Sequence, residues 1–523
     1  MQQHQPSPLL DRRKFLMTAS TVLGAAPGVL GAAPGLSRGA DSSGVLIRAG
    51  GQNLYRVRME VEMKGNVNLP GNPLISREKT LKLPINSQAS FEYEERLHFP
   101  ETSGFPRAAN KATDSLMAGD RCIAAERYYH RAEAKSTLNE TRHSVQLRDS
   151  VRDTIVRHDS RPEQIYGIED FFERDELELL HAPISSMAID HLLPETRISL
   201  GSKYTISADS MASVLNLTAV MDCNVEAEVV AVNETEVRIQ LRGDVDGAID
   251  GVPTIIRTIG KLTFDRKLSS CTWLAIALHE TREIGRAEPG FDVAATIKMV
   301  RQPLQETIGL PTAVRKIDVS KPAAANLQFV SVKSEELGLG VLMDRRWRMM
   351  KDQPEAAMMR MVQNDRSIGQ CDIQPVPRPA NGQPWSLTAF ESSAQLLLGK
   401  QFVEMVESDE RTTTSGTRVL RAVANGSAEG VPIRWILMHL SDESGKQIVA
   451  TFTMEGSNID AFGSSDMQFA SSLRFTKPPS PSEPSKKPTN SILNSSAEEP
   501  TPRPNQKIPK HVADSILNAN SVR

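Results

Sequence analysis

Cysteine is scarce in this chain, with four among 523 residues. So few thiols exclude the dense disulfide framework that holds small secreted domains together. One bond within a domain remains a candidate, between Cys223 and Cys271; the alternative is that these cysteines behave as small buried apolar residues. The sequence also lacks CxxC pairs and cysteines with histidines at zinc-like spacing, so we predict no thiolate metal site and no cofactor.

The sequence also lacks the phosphate-binding loops and nucleophile elbows of common enzyme classes. The sequence contains no GxGxxG or Walker phosphate loop and no GxSxG nucleophile elbow. These absences remove the usual sequence signatures of nucleotide-binding proteins and of serine hydrolases of the α/β type. They favour a protein that acts by binding over an enzyme.

An excess of basic residues is also lacking, because the formal net charge is −3. Residues 1–40 contain four of the 61 basic residues and one of the 64 acidic residues, so their removal would make the chain more acidic. A mildly acidic chain without a basic stripe predicts no nucleic acid and no anionic lipid as partner. After residue 40 no apolar run has the length that a membrane span needs, so we expect no transmembrane segment in the mature chain.

What the sequence does have begins with Arg12-Arg13, followed by Phe15-Leu16 and a Gly/Ala-rich run from Met17 to Leu36. This stretch resembles a twin-arginine (Tat) signal peptide. A basic cap on an ordinary secretory signal is the alternative. The resemblance implies a signal over 1–40, cleaved between Ala32 and Ala40, and a protein that folds before export to the periplasm or another exported location. No cysteine lies near the cleavage region, which argues against a lipid anchor.

Residues 45–302 carry the pattern of a β-rich domain. Apolar and charged residues alternate from Tyr55 to Glu60, and two alternating runs joined at Asn233-Glu234-Thr235 predict a hairpin from Val225 to Arg242. A helix is predicted over Ile168–Leu180, and a second one after Ser207 as N-cap. We therefore expect a curved antiparallel sheet with short helices. Its topology resembles the half-barrels of periplasmic lipoprotein carriers, although no motif assigns the domain to a characterised family.

Prolines at 303, 311 and 322 predict a linker over 303–325. The order of elements over 326–476 then resembles the PsbP-like fold. That resemblance implies an α/β/α sandwich with an antiparallel central sheet, and binding or scaffolding through partner surfaces. It rests on strands at 327–332, 356–362, 368–373, 402–406, 417–423, 433–440 and 447–454, a helix at 387–398 and a short helix at 466–470.

Trp385, just before that helix, is either an interface anchor or part of the packing around the helix. The remaining residues, 477–523, are rich in Pro, Ser, Asn and Lys and nearly lack aromatics, so we predict a disordered tail.

Four stretches have the composition of a chemical site. His279-Glu280-Thr281-Arg282-Glu283 is one residue short of the HExxH zinc motif, but it lies where a strand is predicted. Gly243–Gly251 has the acidic and glycine density of a calcium loop without EF-hand spacing, so a hairpin connection is the simpler interpretation. Glu94-Glu95 and Glu173–Glu176 contain the paired carboxylates that a glycosidase needs, although charged solvated faces are more common.

The sequence as a whole predicts an exported, non-catalytic binding or scaffold protein whose ligand is an unknown protein or an apolar small molecule. The alternative is a carboxylate-dependent or metal-dependent hydrolase in the first domain, with carboxylates from Glu94, Glu95 or Glu280.

Overall fold

The computed structural model describes residues 44–50, 53–71, 79–99, 122–158, 161–286, 288–377 and 384–476. The predicted signal over 1–40 and the predicted tail over 477–523 lie outside these residues. The chain forms two compact units. The first comprises the described residues up to Val332 together with Val341–Lys351 and Met358–Gln370. The second comprises Lys333–Gly340, Asp352–Ala357 and the described residues from Cys371 onward.

The first unit is built on one twelve-stranded sheet with the order β6-β5-β3-β2-β1-β12-β11-β10-β9-β8-β7, and β4 pairs with β3 at its side. Its neighbouring strands are antiparallel. The strands are β1 (Leu54–Pro70), β2 (Thr80–His98), β3 (Ala124–Leu138), β4 (Thr141–Gln146), β5 (Asp153–Arg157), β6 (Gln164–Gly167), β7 (Lys203–Thr205), β8 (Ala219–Val232), β9 (Glu236–Ile249), β10 (Val252–Asp265), β11 (Ser270–Arg282) and β12 (Gly290–Pro303).

In β9 to β12, buried positions alternate with more exposed ones along most of each strand, which gives this part of the sheet two different faces. In β10, for example, Ile256 and Leu262 are buried, whereas Arg257 and Ile259 between them are exposed. The covered face packs against a segment that contains α1 (Arg174–Leu180), the 3-10 helix Ser186–Leu192 and α2 (Ala208–Val214). We call the opposite side the open face.

The turns of the sheet follow the local chemistry of the sequence. Asp250 and Gly251 connect β9 to β10 with φ angles of 51° and 85°, the positive values that a two-residue type I′ hairpin requires. The predicted hairpin of β8 and β9 is present, and the side chain of Asn233 accepts the backbone N–H groups of Thr235 and Glu236 in its turn. Ser207 caps α2 as predicted, because its side chain accepts a hydrogen bond from the backbone N–H of Ser210.

The rest of the chain forms two further antiparallel sheets, ordered β13-β14-β22 and β15-β16-β17-β21-β20-β19-β18. Their strands are β13 (Phe329–Ser334), β14 (Leu339–Asp344), β15 (Trp347–Gln353), β16 (Ala356–Gln363), β17 (Arg366–Pro375), β18 (Phe402–Thr412), β19 (Arg418–Ala428), β20 (Val431–Ser441), β21 (Gln447–Glu455) and β22 (Arg474–Phe475). The helices are α3 (Leu387–Leu398), α4 (Ile459–Phe462) and α5 (Ser465–Ser472).

The predicted fold class, with a PsbP-like α/β/α sandwich as the second domain, is wrong. The described residues are β-rich and form three antiparallel sheets, and the helices described in this half are one three-turn helix and two shorter ones. The predicted first strand of the sandwich, β13, pairs with β14 in a separate three-stranded sheet. Element order alone led to the error, because alternation locates a strand but does not identify the strand it pairs with.

Within the second unit, α3 packs on the sheet through an apolar face. Phe390, Ala394 and Leu398 are buried against residues of β19 and β20 that include Leu420 and Trp435. Trp385 is partly buried against the same cluster, and its ring lies 6.1 Å from that of His439. These contacts place Trp385 in the packing around the helix.

None of the helices in the described ranges has both the length and the apolar character needed to cross a bilayer.

Candidate functional site

A trough crosses the open face of the first sheet from β7 to β12. It has a volume of about 630 Å³, and its lining residues fall into two rows that run across the strands in register. The first row is Thr205, Glu226, Arg242, Ile259 and Ala277. The second row is Asn224, Asp244, Arg257, His279 and Ala294. We refer to these ten residues as the trough.

A glycine lets two strands approach closely at the trough. Gly243 of β9 has a φ of 154°, and a Cβ added there would lie 1.9 Å from the carbonyl oxygen of Asn224 on β8. Glycine within a strand marks such close approaches and bends. Register shifts of β8 against β9, between Val220 and Asp222 and between Val229 and Ala231, add local twist. These features distort the sheet where the trough lies.

The charges in the trough follow an order across the strands. The acids, Glu226 and Asp244, lie on β8 and β9, and the arginines, Arg242 and Arg257, lie one strand further on, on β9 and β10. Beyond them the first row continues into Ile259, which is 68% exposed, and Ala277. The second row continues into His279 and then Ala294. The trough therefore has an acidic end, a basic middle and a largely apolar end.

Only part of this charge is paired. Arg257 and Asp244 approach to 3.8 Å, and His279 Nε2 lies 3.1 Å from Asp292 Oδ1. Glu226 and Arg242 are Cα partners in the β8–β9 register, but within the described ranges neither side chain forms an ion pair or a side-chain hydrogen bond. A cation and an anion in the trough thus remain available to a ligand.

The covered face contains a different kind of polar group, a buried network around Ser186. Glu95 Oε1 accepts hydrogen bonds from Arg127 Nε at 2.8 Å and from Ser186 Oγ at 2.7 Å, and Tyr93 donates to Ser186 Oγ at 2.8 Å. Burial raises the pKa of Tyr93. The network joins β2 and β3 to the 3-10 helix, so it anchors the covering segment to the sheet.

A second buried anchor lies beside this network. Glu163 accepts hydrogen bonds from Ser185 and from His158 Nδ1, the latter at 2.9 Å. Although burial alone would raise its pKa, these bonds and the nearby charges of His158 and Arg127 lower the pKa of Glu163 to about 2. The void between the two anchors measures about 10 Å³, which is room for a single water and not for a substrate.

A third anchor holds the other end of the 3-10 helix. Arg301 of β12 donates through Nη2 to Asp190 Oδ2 at 2.5 Å and through Nε to the carbonyl oxygen of Cys271 at 3.0 Å. Its guanidinium also lies 4.4 Å from the centre of the Tyr55 ring. The side chains of Arg301 and Asp190 are therefore occupied in fixing the helical segment.

Glu94 and Glu95, one of the predicted carboxylate pairs, point to opposite faces and form no dyad. Glu94 accepts the backbone N–H groups of Ile308, Gly309 and Leu310 at 3.0 to 3.1 Å. Burial alone would raise the pKa of Glu94, but these backbone donors and His130 lower it. Glu94 thus pins a strap of residues 304–323 to the sheet.

More charged contacts hold the same strap. Arg315 donates its backbone N–H to Glu126 and its guanidinium to Asp153, while Arg157 donates to the carbonyl oxygen of Lys321 at 2.7 Å. Gly309 packs so closely on Tyr128 that a Cβ would lie 2.1 Å from a ring carbon. The stretch predicted as the linker, 303–325, therefore makes extensive contacts within the first unit.

The remaining predicted candidates lie in ordinary strand positions. His279 to Arg282 belong to β11, so successive side chains point to opposite faces, and Glu280 pairs with Arg282 at 2.5 Å. Gly243 to Ile249 belong to β9, and Asp250-Gly251 form the turn after it. Among the described residues, no group of three His, Cys, Asp or Glu side chains is placed to hold a metal ion.

The candidate disulfide is not formed. Cys223 and Cys271 are free thiols on β8 and β11, and the strands β9 and β10 separate them. Three strand spacings amount to about 14 Å, twice the longest Cα separation that a disulfide bridges. The sequence suggested the pair because both cysteines lie in one domain, but spacing along the chain does not reveal strand order.

Comparisons with known proteins identify no relative. No known protein family and no curated protein matches the sequence. A solved structure of lipovitellin, concerned with its lipid–protein interactions, aligns at 8% identity over 54% of this chain and 29% of its own, with a TM-score of 0.27. The translocator domain of the autotransporter NalP from Neisseria meningitidis aligns at 6% identity over 77% of this chain and 88% of its own, with a TM-score of 0.11. Such low scores support no conclusion about fold or function.

Proposed function

We propose that this is an exported, non-catalytic binding protein and that the trough is its ligand site. The observation that carries the proposal is the trough itself, a concavity of about 630 Å³ on the open face of the sheet. Ligand sites in proteins have volumes of about 300 to 1,000 Å³ and combine apolar walls with a few polar groups. Ile259, Ala277 and Ala294 supply the apolar part, and the acids and arginines supply the polar part.

The positions of two carboxylates whose pKa values are shifted support binding over catalysis. Catalytic acids and bases lie in accessible clefts with shifted pKa values. Here the pKa of Glu163 and the pKa of Glu94 are lowered by contacts that fix the covering segment and the strap. Neither carboxylate lines the trough.

Export is proposed from the sequence. Arg12-Arg13 with Phe15-Leu16 resembles a receptor-read signal for folded proteins, and a protein on that route reaches the periplasm with its sheet already formed. A binding protein that must fold completely before it meets its ligand would suit this route.

Native mass spectrometry of the mature protein, purified from the exported fraction of its own host, tests the proposal. We expect additional mass in the native sample that disappears on denaturation, or that appears after incubation with a lipid extract of the host. A bare native mass in both preparations would contradict a small-molecule ligand.

A further inference from the structure

We propose that the ligand of the trough is a single zwitterionic amphiphile in which the anionic group lies between a cationic end and an apolar tail. The inference rests on the proposed function, because it specifies what the trough would bind. It follows from the order of charges across the strands.

Along each row, an acidic position on one strand is followed by a basic position on the next strand. Glu226 on β8 pairs in register with Arg242 on β9, and Arg242 pairs in register with Ile259 on β10. The second row has the same order of acid and base, shifted by one strand, with Asp244 on β9 and Arg257 on β10. Because adjacent strands lie about 4.8 Å apart, the acidic and basic positions are separated by about 5 Å.

The apolar part extends from the basic positions toward β12. In the first row Ile259 is followed in register by Ala277 on β11. In the second row His279 on β11, which is paired with Asp292, separates Arg257 from Ala294 on β12. These strands add about 10 Å beyond the arginines. A molecule that lies along the trough would therefore place its cation near Glu226, its anion near Arg242 and its tail over Ile259.

Phosphodiester zwitterions have this order, with an ammonium group outside the phosphate and the alkyl chain on the phosphate's other side. Arginine suits the position next to the phosphate because its planar guanidinium donates two parallel hydrogen bonds to phosphate oxygens. Glu226 and Arg242 do not pair with each other, which also fits a zwitterionic ligand. A ligand that carries both charges would form an ion pair with each of these side chains.

Amphiphiles with a single charge fit less well. A fatty acid would face the arginines but leave Glu226 without a cation, and a cationic surfactant would leave Arg242 without an anion. The size of the trough accommodates one head group with part of one chain, so the proposal commits to a single molecule and not to a bilayer surface.

Reversal of the ligand's charge order gives the sharpest test. Dodecylphosphocholine has the phosphate next to the tail, whereas dodecyl sulfobetaine has the same tail with the ammonium inside and the sulfonate outside. Each probe is titrated into the mature protein below its critical micelle concentration, and calorimetry measures its dissociation constant. We expect dodecylphosphocholine to bind at least about tenfold more tightly than dodecyl sulfobetaine. Arg242→Gln and Glu226→Gln should each weaken that binding about tenfold, and Arg238→Gln, on the same face of β9 outside the trough, should not.

The outcomes separate this inference from the proposed function. Equal binding of the sulfobetaine, or of uncharged dodecyl maltoside, would overturn the charge order while the trough remained a binding site. Binding to phosphatidylcholine vesicles without binding to monomeric dodecylphosphocholine would overturn the single-molecule claim. The proposed function itself fails through other results, such as a bare native mass of the purified protein.

Discussion

Glu226 and Arg242 lie opposite each other on β8 and β9, yet within the described part of the chain they do not form an ion pair. Elsewhere on the open face Arg56 and Glu92 do form an ion pair, at 2.9 Å. The unpaired couple lies in the trough beside an exposed isoleucine, which is the arrangement a ligand with two charges would use.

The buried network should dominate the stability of the first unit. Glu95→Gln removes the charge that balances Arg127 in a fully buried setting, and we expect a loss of about 3 to 5 kcal/mol in the free energy of unfolding. Glu92→Gln, on the same strand with one partly buried and one exposed arginine partner, should cost less than about 1 kcal/mol. Urea unfolding of both variants measures the difference, and equal losses would contradict the anchoring role of Glu95.

Acid should destabilise the protein through Glu163. Its pKa is lowered from 4.5 to about 2 in the folded state, so its charge favours folding above the ordinary value. That contribution, about 3 kcal/mol, should be lost as the pH falls from about 5 towards 2. Glu163→Gln should flatten this part of the stability profile, measured by urea unfolding at each pH. A variant profile as steep as that of the wild type would contradict the assignment.

Gly243 should tolerate no side chain. Gly243→Ala forces a Cβ against the Asn224 carbonyl oxygen, so we expect a loss of about 2 kcal/mol or more in the free energy of unfolding. Gly50→Ala is the control, because nothing lies within 4 Å of a Cβ at that position. Thermal and urea unfolding compare the two, and an unchanged stability of Gly243→Ala would argue against the close approach of β8 and β9.

The strap should loosen when its contact with Tyr128 is disturbed. Gly309→Ala places a Cβ inside the Tyr128 ring, so trypsin should cut faster at Arg315 and Lys316. The double variant Gly309→Ala/Tyr128→Ala removes the ring and should restore slow cleavage. Cleavage that is fast in both variants, or slow in both, would show that a clash with the Tyr128 ring is not what loosens the strap.

The twin-arginine pair should be required for export. Arg12→Lys with Arg13→Lys keeps the charge but loses the planar forks that a receptor reads, so the precursor should accumulate in the cytoplasm. Arg38→Lys, near the predicted cleavage region, serves as the control and should be exported normally. Fractionation with detection of the processed form measures both. Normal export of the double lysine variant would point to an ordinary secretory signal.

Local chemistry made several elements predictable. Helix α3 runs from Leu387 to Leu398 as predicted, because Ser386 caps its start and Gly399, with a φ of 53°, ends it. The β8–β9 hairpin followed from alternation on both sides of a polar turn. Signals of this kind depend on residues close in sequence.

The trough was not predicted, because it depends on neighbours across strands. Arg242 and Ile259 are 17 residues apart and meet only through the register of β9 and β10. The two-residue turn at Asp250-Gly251 fixes that register, so counting outward from this turn could have placed them together. No comparable signal exists for the partners of β13 or for the segment over the covered face. Those depend on tertiary packing.

The central claim is that the trough holds the ligand, and a matched pair of variants tests it most directly. Ile259 and Ile255 are both exposed on the open face of β10, at 68% and 47%, but only Ile259 lines the trough. Native mass spectrometry of Ile259→Asp and Ile255→Asp, each purified from the exported fraction, compares the bound mass that each retains. Loss of the bound mass in Ile259→Asp alone is the predicted result, and retention of that mass by Ile259→Asp would contradict the account.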